Sequence, residues 1–183
     1  MKVRKTVNIP LTIYTFMKEY IFLIVLSALT LILMSYIDHR ENQSKLAVFT
    51  ISFSVFKVCI LISATLKKME VLTRENHISN HILLFSIIII FFINISFTLD
   101  YLCVLTIYTN SFSGFNPNQP LFLKFFDLLY FSIVTFTTVG YGDILPFGKA
   151  VKFLTILEMT TAFITIVFII SKYTKSNERN EKE

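Results

Sequence analysis

The sequence contains no tryptophan and few of the residues that break helices or crosslink a small fold. It has four Gly, four Pro and two Cys among 183 residues, and only 16% of its residues are charged. So little Gly and Pro excludes collagen-like and linker-rich classes and indicates long elements joined by few tight turns. Both cysteines lie in apolar runs, which excludes a disulfide framework and a zinc site of paired Cys and His ligands.

What the sequence has instead is apolar surface. Hydrophobic residues make up 54% of the chain, Phe alone occurs 20 times, and the mean hydropathy is +0.66. A soluble domain of this length rarely reaches such values, because it must present charge to water. The net charge of +5 does not predict nucleic acid as a partner, since the basic residues form short groups between apolar runs. The composition predicts an all-α membrane protein.

Four apolar runs are long enough to cross a bilayer, which requires about 20 residues in a helix. They cover residues 20–37, 46–66, 82–107 and 150–171. A fifth run, residues 121–136, is shorter and is interrupted by Lys124 and Asp127. A segment of this kind is predicted to enter the membrane as a half-helix and to leave it as non-helical backbone, which is tolerated only beside protein or a water-filled cavity.

The distribution of basic residues predicts the orientation of the chain. Eleven Lys and Arg lie on the side of the two termini and five on the opposite side, so both termini are expected in the cytoplasm. The protein is expected in the plasma membrane. The first run follows a basic segment, as in a signal peptide. It is followed by Asp38, His39 and Arg40 rather than by small residues, and is therefore predicted to be a retained anchor.

The short fifth run leads into residues 137–143, which read TTVGYGD. A K⁺ ion that enters a narrow pore must exchange its hydration shell for rings of backbone carbonyl oxygens. Carbonyls of one strand can face one axis only if alternate residues adopt unusual backbone angles, which Gly reaches without steric cost. Gly140 and Gly142 are half of the glycines in the chain. The hydroxyl of Thr138 can add an oxygen at the inner end, while Val139 and Tyr141 pack away from the axis.

At these residues the chain resembles the tetrameric potassium channel family, since residues 130–146 read YFSIVTFTTVGYGDILP. The resemblance implies a homotetrameric pore of three further copies beside this chain, K⁺ as the permeant ion, no organic cofactor and membrane lipids as surroundings. It makes Thr138, Val139, Gly140 and Tyr141 the carbonyl donors of a filter that ends at Gly142, and it implies selectivity for K⁺ over Na⁺.

The apolar runs and the basic residues divide the chain, and the resemblance covers only its second half. Residues 1–19 are expected in the cytosol, 20–66 as two peripheral transmembrane helices, 67–81 as a cytosolic connection, 82–173 as the pore domain and 174–183 as a cytosolic tail. The pore domain then has an outer helix at 82–108, a pore helix at 125–137, the filter at 138–142 and an inner helix at 148–172. Tyr130, Thr137 and Asp143 are expected to support the filter, with Tyr130 donating a hydrogen bond to Asp143.

Lys57 and Glu158 are ionisable residues within apolar runs, and such residues usually mark function or find a partner. Lys57 lies too deep to reach the membrane surface easily. For Glu158 three arrangements remain open: a bond to pore-helix hydroxyls such as Thr135 or Thr137, exposure to a cation-filled cavity, or a pair with Lys57.

The function predicted from these residues is a potassium-selective channel without catalysis. No nucleophile with a base, no carboxylate pair and no metal cluster occurs in the runs, so an enzyme is not expected. The first two runs carry no ladder of basic residues, which argues against steep voltage sensing. Two alternatives remain: a weakly selective cation channel, and a non-conducting membrane subunit that binds a partner.

Overall fold

The computed structural model of the chain describes residues 9–36, 42–73, 79–114, 116 and 118–180. Five helices follow one another along it: α1 (Ile9–Tyr36), α2 (Gln43–Thr73), α3 (Ser79–Ile107), α4 (Leu121–Phe136) and α5 (Lys149–Asn180). Parts of the predicted cytosolic segments, namely residues 1–8, 74–78 and 181–183, lie outside the described residues.

Within the described residues, four helices are long and apolar enough to cross a membrane, and they correspond to the four long runs of the sequence. These spans are Met17–Tyr36, Gln43–Lys67, Leu83–Ile107 and Lys149–Thr174. Their outward faces carry exposed large apolar side chains such as Phe22, Phe56 and Ile87. Because such a surface is stable in hydrocarbon and unstable in water, the chain is an all-α membrane protein.

Helix α3 lies at the centre of the bundle. More than half of its span is buried, 56%, against 22–33% for the other three spans. Helix α1 packs mainly on α3, whereas α2 packs on both α3 and α5, and α4 packs on α3 and α5. Both N-terminal helices therefore contact α3, and α2 also contacts α5.

Helix α4 begins at Leu121, four residues before the position predicted from the sequence. Pro120 precedes its first turn, and the Lys124 amide donates to the Pro120 carbonyl at 3.1 Å. The charge at Asp127 does not interrupt the helix, because the side chain is only partly buried and accepts a hydrogen bond from Gln119 Nε2 at 2.6 Å. A charge that keeps a polar partner on the helix surface does not oppose helix formation.

Helix α5 continues to Asn180, eight residues beyond the predicted end of the inner helix. The end was predicted from the loss of apolarity after residue 171. Apolarity limits the depth of membrane crossing and not the length of a helix, and neither Gly nor Pro occurs between 149 and 180 to stop it.

Two short strands, β1 (Phe112–Ser113) and β2 (Leu145–Pro146), form an antiparallel pair that the sequence did not predict. Phe112 pairs with Pro146, and Ser113 with Leu145. The amide of Phe147 also donates to the Ser111 carbonyl at 2.9 Å. These bonds fasten the loop after α3 to the chain that leaves the TTVGYGD segment.

Candidate functional site

The site is the segment that follows α4. One face of α4 is buried against the bundle through Leu128, Phe131, Ser132, Thr135 and Phe136. At its end the amides of residues 137–139 still donate to α4: Thr137 to Ile133, Thr138 to Thr135 and Val139 to Val134, at 2.9 to 3.1 Å. The buried helix thus fixes where the segment begins, and the segment then leaves it as irregular backbone.

The backbone of this segment alternates in conformation. Thr138, Gly140 and Gly142 have positive φ values of +59°, +58° and +79°, and the residues between them do not. In an ordinary extended strand, successive backbone carbonyls point to opposite sides. When residues with positive φ alternate with residues with negative φ, successive carbonyls point to the same side. The sequence did not predict a positive φ at Thr138. A positive φ is rare for a β-branched residue and costs about 1–3 kcal/mol.

The segment lies on the surface of the single chain. All residues from Thr137 to Asp143 are exposed, including 54% of Val139 and 70% of Tyr141. The Tyr141 ring stacks on that of Tyr130, with the centroids 6.4 Å apart and the planes 2° from parallel. A strained segment bearing two large exposed side chains is typical of a surface that is completed by other molecules.

Tyr130 and Asp143 join the two ends of the site. The Tyr130 hydroxyl donates to Asp143 Oδ2 at 2.8 Å, and Asp143 Oδ1 accepts the amide of Ile144 at 3.0 Å. The bond from Tyr130 holds the pKa of the Asp143 carboxyl below its usual value of 3.8. The same bond raises the pKa of the Tyr130 hydroxyl above its usual value of 10.0.

We expect Tyr130→Phe to lower the stability of the folded protein throughout the pH range between those two values. At the acid end, the hydrogen bond contributes fully above pH 3.8, and its contribution is lost as the pH falls through the lowered pKa of Asp143 in the folded protein. At the basic end, the same bond contributes fully below pH 10.0, and its contribution is lost as the pH rises through the raised pKa of Tyr130. Thermal unfolding of wild type and variant should therefore differ at neutral pH and converge in strong acid and strong base. A difference that grows on acidification would contradict this role.

Thr137, also predicted to support the segment, bonds within its own helix. Its hydroxyl donates to the carbonyls of Ile133 at 2.7 Å and Val134 at 3.3 Å. Thr137 therefore stabilises the last turn of α4.

Gly114 lies directly against the chain that leaves the segment. It has φ of +74°, and a Cβ added there would lie 1.8 Å from the carbonyl oxygen of Asp143. A backbone group cannot move aside as a flexible side chain can, so the β1–β2 pair would have to shift.

Gly114→Ala is therefore expected to destabilise the protein by about 1–3 kcal/mol, the usual cost of overpacking. Thermal unfolding in detergent measures the effect. Ser113→Ala is the matched control, because it changes the neighbouring residue to alanine and removes only an exposed side chain. Equal melting temperatures for the two variants would show that the loop does not contact Asp143 in this way.

Glu158 lies behind the segment and is fully buried. Its carboxylate accepts hydrogen bonds from the Tyr101 hydroxyl of α3 and the Ser132 hydroxyl of α4, each at 2.5 Å. The Ser132 hydroxyl also lies 3.2 Å from the carbonyl and side-chain oxygens of Asn94. Of the three arrangements left open by the sequence, the structure has a pore-helix bond, but to Ser132 rather than Thr135 or Thr137.

Lys57 does not pair with Glu158 but with Asp100 of α3. Lys57 Nζ lies 2.6 Å from Asp100 Oδ1, and both side chains are at least 98% buried. Ser54 Oγ donates to the other carboxylate oxygen, Asp100 Oδ2, at 2.6 Å. Asp100 lies within the third apolar run, residues 82–107, and its pairing with Lys57, 43 residues away, depends on how α2 and α3 pack.

The four spans, the shorter helix α4 and the exposed segment after it define a class, the multi-pass helical membrane proteins. Residues 82–179, more than half of the chain, match the model of a family described as ion channel. The chain therefore belongs to this ion-channel family. The match begins in α3 and ends in α5, so it includes α4 and the TTVGYGD segment and excludes α1 and α2.

Individual relatives have similar sequences over shorter stretches. The chain is 39% identical over 70 residues to two-pore potassium channel 4 of Arabidopsis thaliana, which covers 38% of this chain and 23% of that protein. It is 37% identical over 60 residues to potassium channel protein kcv of Paramecium bursaria Chlorella virus 1, covering 33% of this chain and 62% of the viral protein. The chain thus matches less than two thirds of the length of either relative. No solved structure matches the chain significantly.

Proposed function

We propose that the protein is a potassium-selective channel in which the TTVGYGD segment is the ion filter. The observation that carries this proposal is the alternation of positive φ at Thr138, Gly140 and Gly142. With carbonyls aligned on one side, Thr138, Val139, Gly140 and Tyr141 supply the oxygens that replace the hydration shell of K⁺. The names of the two relatives described above, each a potassium channel, support K⁺ as the permeant ion.

The channel requires further copies of the chain. One strand supplies one oxygen to each ring, whereas a dehydrated K⁺ needs about four in each plane, so we propose a homotetramer around one axis. The exposure of Val139 and Tyr141 supports this assembly, since an adjacent copy would cover their side chains. Lipid surrounds the outward faces of the spans.

The pore domain consists of α3 as outer helix, α4 as pore helix, residues 138–142 as filter and α5 as inner helix. The C-terminal end of α4 carries the negative end of the helix dipole, which favours a cation beneath the filter. The distribution of basic residues supports cytoplasmic termini, a plasma-membrane location and a filter that opens to the outside. The protein permits passive permeation and performs no catalysis.

Purified protein in liposomes should carry K⁺ and Rb⁺ and exclude Na⁺. Flux driven by opposing gradients of these ions measures the selectivity, and native mass spectrometry in detergent measures the assembly. Comparable Na⁺ flux would indicate a weakly selective cation channel. No flux from a folded tetramer would indicate a non-conducting subunit that binds a partner, and a stable dimer would contradict the filter geometry.

A further inference from the structure

Two polar clusters meet at consecutive residues of α3, Asp100 and Tyr101. Asp100 bonds to α2, and Tyr101 bonds to α5 and packs on α4. We propose that Lys57 and Asp100 are positioning residues for the filter, which they act on through Tyr101. This inference rests on the proposed channel function, and it gives the two N-terminal helices a part in ion selectivity.

The first cluster is a fully paired ion pair inside the bundle. An ammonium group has three hydrogens to donate, and Lys57 Nζ has three acceptors: Asp100 Oδ1 at 2.6 Å, Ser27 Oγ at 3.1 Å and the Ser96 carbonyl at 3.2 Å. These partners belong to α3, α1 and α3 respectively. Removing either charge would leave the other buried and uncompensated, which a bilayer makes especially costly. The pair therefore holds α1, α2 and α3 in one arrangement.

The second cluster surrounds Tyr101, which contacts α4, α5 and β1. Its hydroxyl donates to Glu158 of α5, and its ring packs edge-on against Phe131 of α4 with centroids 5.2 Å apart. The ring also packs edge-on against Phe112 of β1 at 5.8 Å. Because β1 pairs with β2 just beyond the filter, Tyr101 contacts the helix before residues 138–142 directly and is linked to the strand after them through β1.

The two clusters are coupled because a helix moves as a rigid element. Consecutive residues project about 100° apart around the axis, so Asp100 and Tyr101 can face different neighbours but cannot move independently. A shift or rotation of α3 that brings an unpaired Asp100 towards polar surroundings would carry the Tyr101 hydroxyl away from Glu158. Glu158 would then keep only one of its two hydrogen bonds, the one from Ser132.

The experiment measures the ratio of Rb⁺ to Na⁺ flux, together with thermal unfolding, for the full chain in liposomes. Lys57→Met, Asp100→Asn and Tyr101→Phe are each expected to lower the flux ratio about tenfold, within the usual range for coupling between sites. The double variant Asp100→Asn with Tyr101→Phe should lower the ratio no further than Tyr101→Phe alone, because Asp100 acts through Tyr101. Independent effects that multiply would overturn the inference.

Tyr20→Phe provides the matched control. It removes a buried hydrogen bond between α1 and α2, from Tyr20 to Thr65 Oγ1 at 2.5 Å, and keeps the ring. We expect a lower melting temperature with an unchanged flux ratio. If Tyr20→Phe lowers the ratio as much as Asp100→Asn does, general loosening of the bundle explains both and the inference fails.

A second variant decides the matter if the single changes prevent folding. Lys57→Met with Asp100→Leu removes both charges at once and leaves no unpaired charge in the bundle. A folded double variant with a lowered flux ratio supports the inference, and one with the wild-type ratio overturns it. Wild-type protein that carries no Rb⁺ would instead overturn the proposed channel function, and the inference with it.

Discussion

Gly140→Ala is expected to abolish selective potassium flux while the protein still folds and inserts. An added Cβ at this position meets no atom of the chain within 4 Å, so the variant creates no clash within it. The effect comes from the backbone, because φ is +58° and a side chain costs about 1–2 kcal/mol in a left-handed conformation.

In the proposed tetramer that cost is incurred in each copy, or about 4–8 kcal/mol in total. About 5.5 kcal/mol is enough to move a two-state equilibrium from 99:1 to 1:99, so the conducting backbone would become the minor state. Rb⁺ flux into liposomes measures the loss, and surface expression and melting temperature measure folding.

Gly148→Ala is the matched control for Gly140→Ala. Gly148 does not have positive φ, and an added Cβ would lie 3.8 Å from Ser111 Cβ, an ordinary van der Waals contact. We expect this variant to keep its selective flux. Retained selective flux in Gly140→Ala would refute the assignment of residues 138–142 as the filter.

Glu158→Ala is expected to have the second large effect. Without the carboxylate, the buried Tyr101 hydroxyl loses its acceptor, which costs about 1–3 kcal/mol for a buried group left unsatisfied. The Ser132 hydroxyl loses the same acceptor and turns to Asn94 at 3.2 Å. The helix α4 would lose its polar attachment to α5. We expect a lower melting temperature and a filter that no longer excludes Na⁺.

Glu158→Gln should leave both properties nearly unchanged, and so is the control. The amide oxygen can still accept from Tyr101, while the amide nitrogen donates to Ser132, whose hydrogen can turn to Asn94 at 3.2 Å. Flux ratios and melting temperatures of the two variants are compared in the same liposomes. If Gln and Ala instead reduced conductance equally with stability unchanged, the charge of Glu158 would act on ions in the cavity and the positioning role would be wrong.

The four spans and the short fifth helix were predictable because they depend on local properties of the sequence. A run of about 20 apolar residues is stable only across a bilayer or inside a large core, whatever its neighbours are. The segment at 137–143 is equally local, since two glycines in alternation permit a backbone that other residues resist. The bond between Tyr130 and Asp143 was expected only from the resemblance to the potassium channel family. The ion-channel family follows from the same half of the chain.

The partners of the buried polar residues were not predictable from the sequence alone. Lipid-facing and bundle-facing positions of a membrane helix are both apolar, so the sequence contains no amphipathic pattern that fixes the rotation of α2, α3 or α5. A pore-helix bond from Glu158 was one of three open arrangements, but the donor is Ser132. The pairing of Lys57 with Asp100 is determined only by the packing of α2 on α3.

The sequence by itself thus determined the spans, the short helix and the residues of the candidate filter, because each depends on neighbours within a few residues along the chain. The tertiary structure decided which side chains meet behind that filter. Tyr101 contacts Glu158, Phe131 and Phe112 from three separate elements, at sequence separations from 11 to 57 residues. Such contacts exist only when α3 is surrounded by the other helices, and the rotation of each helix in that packing is set by all of them together.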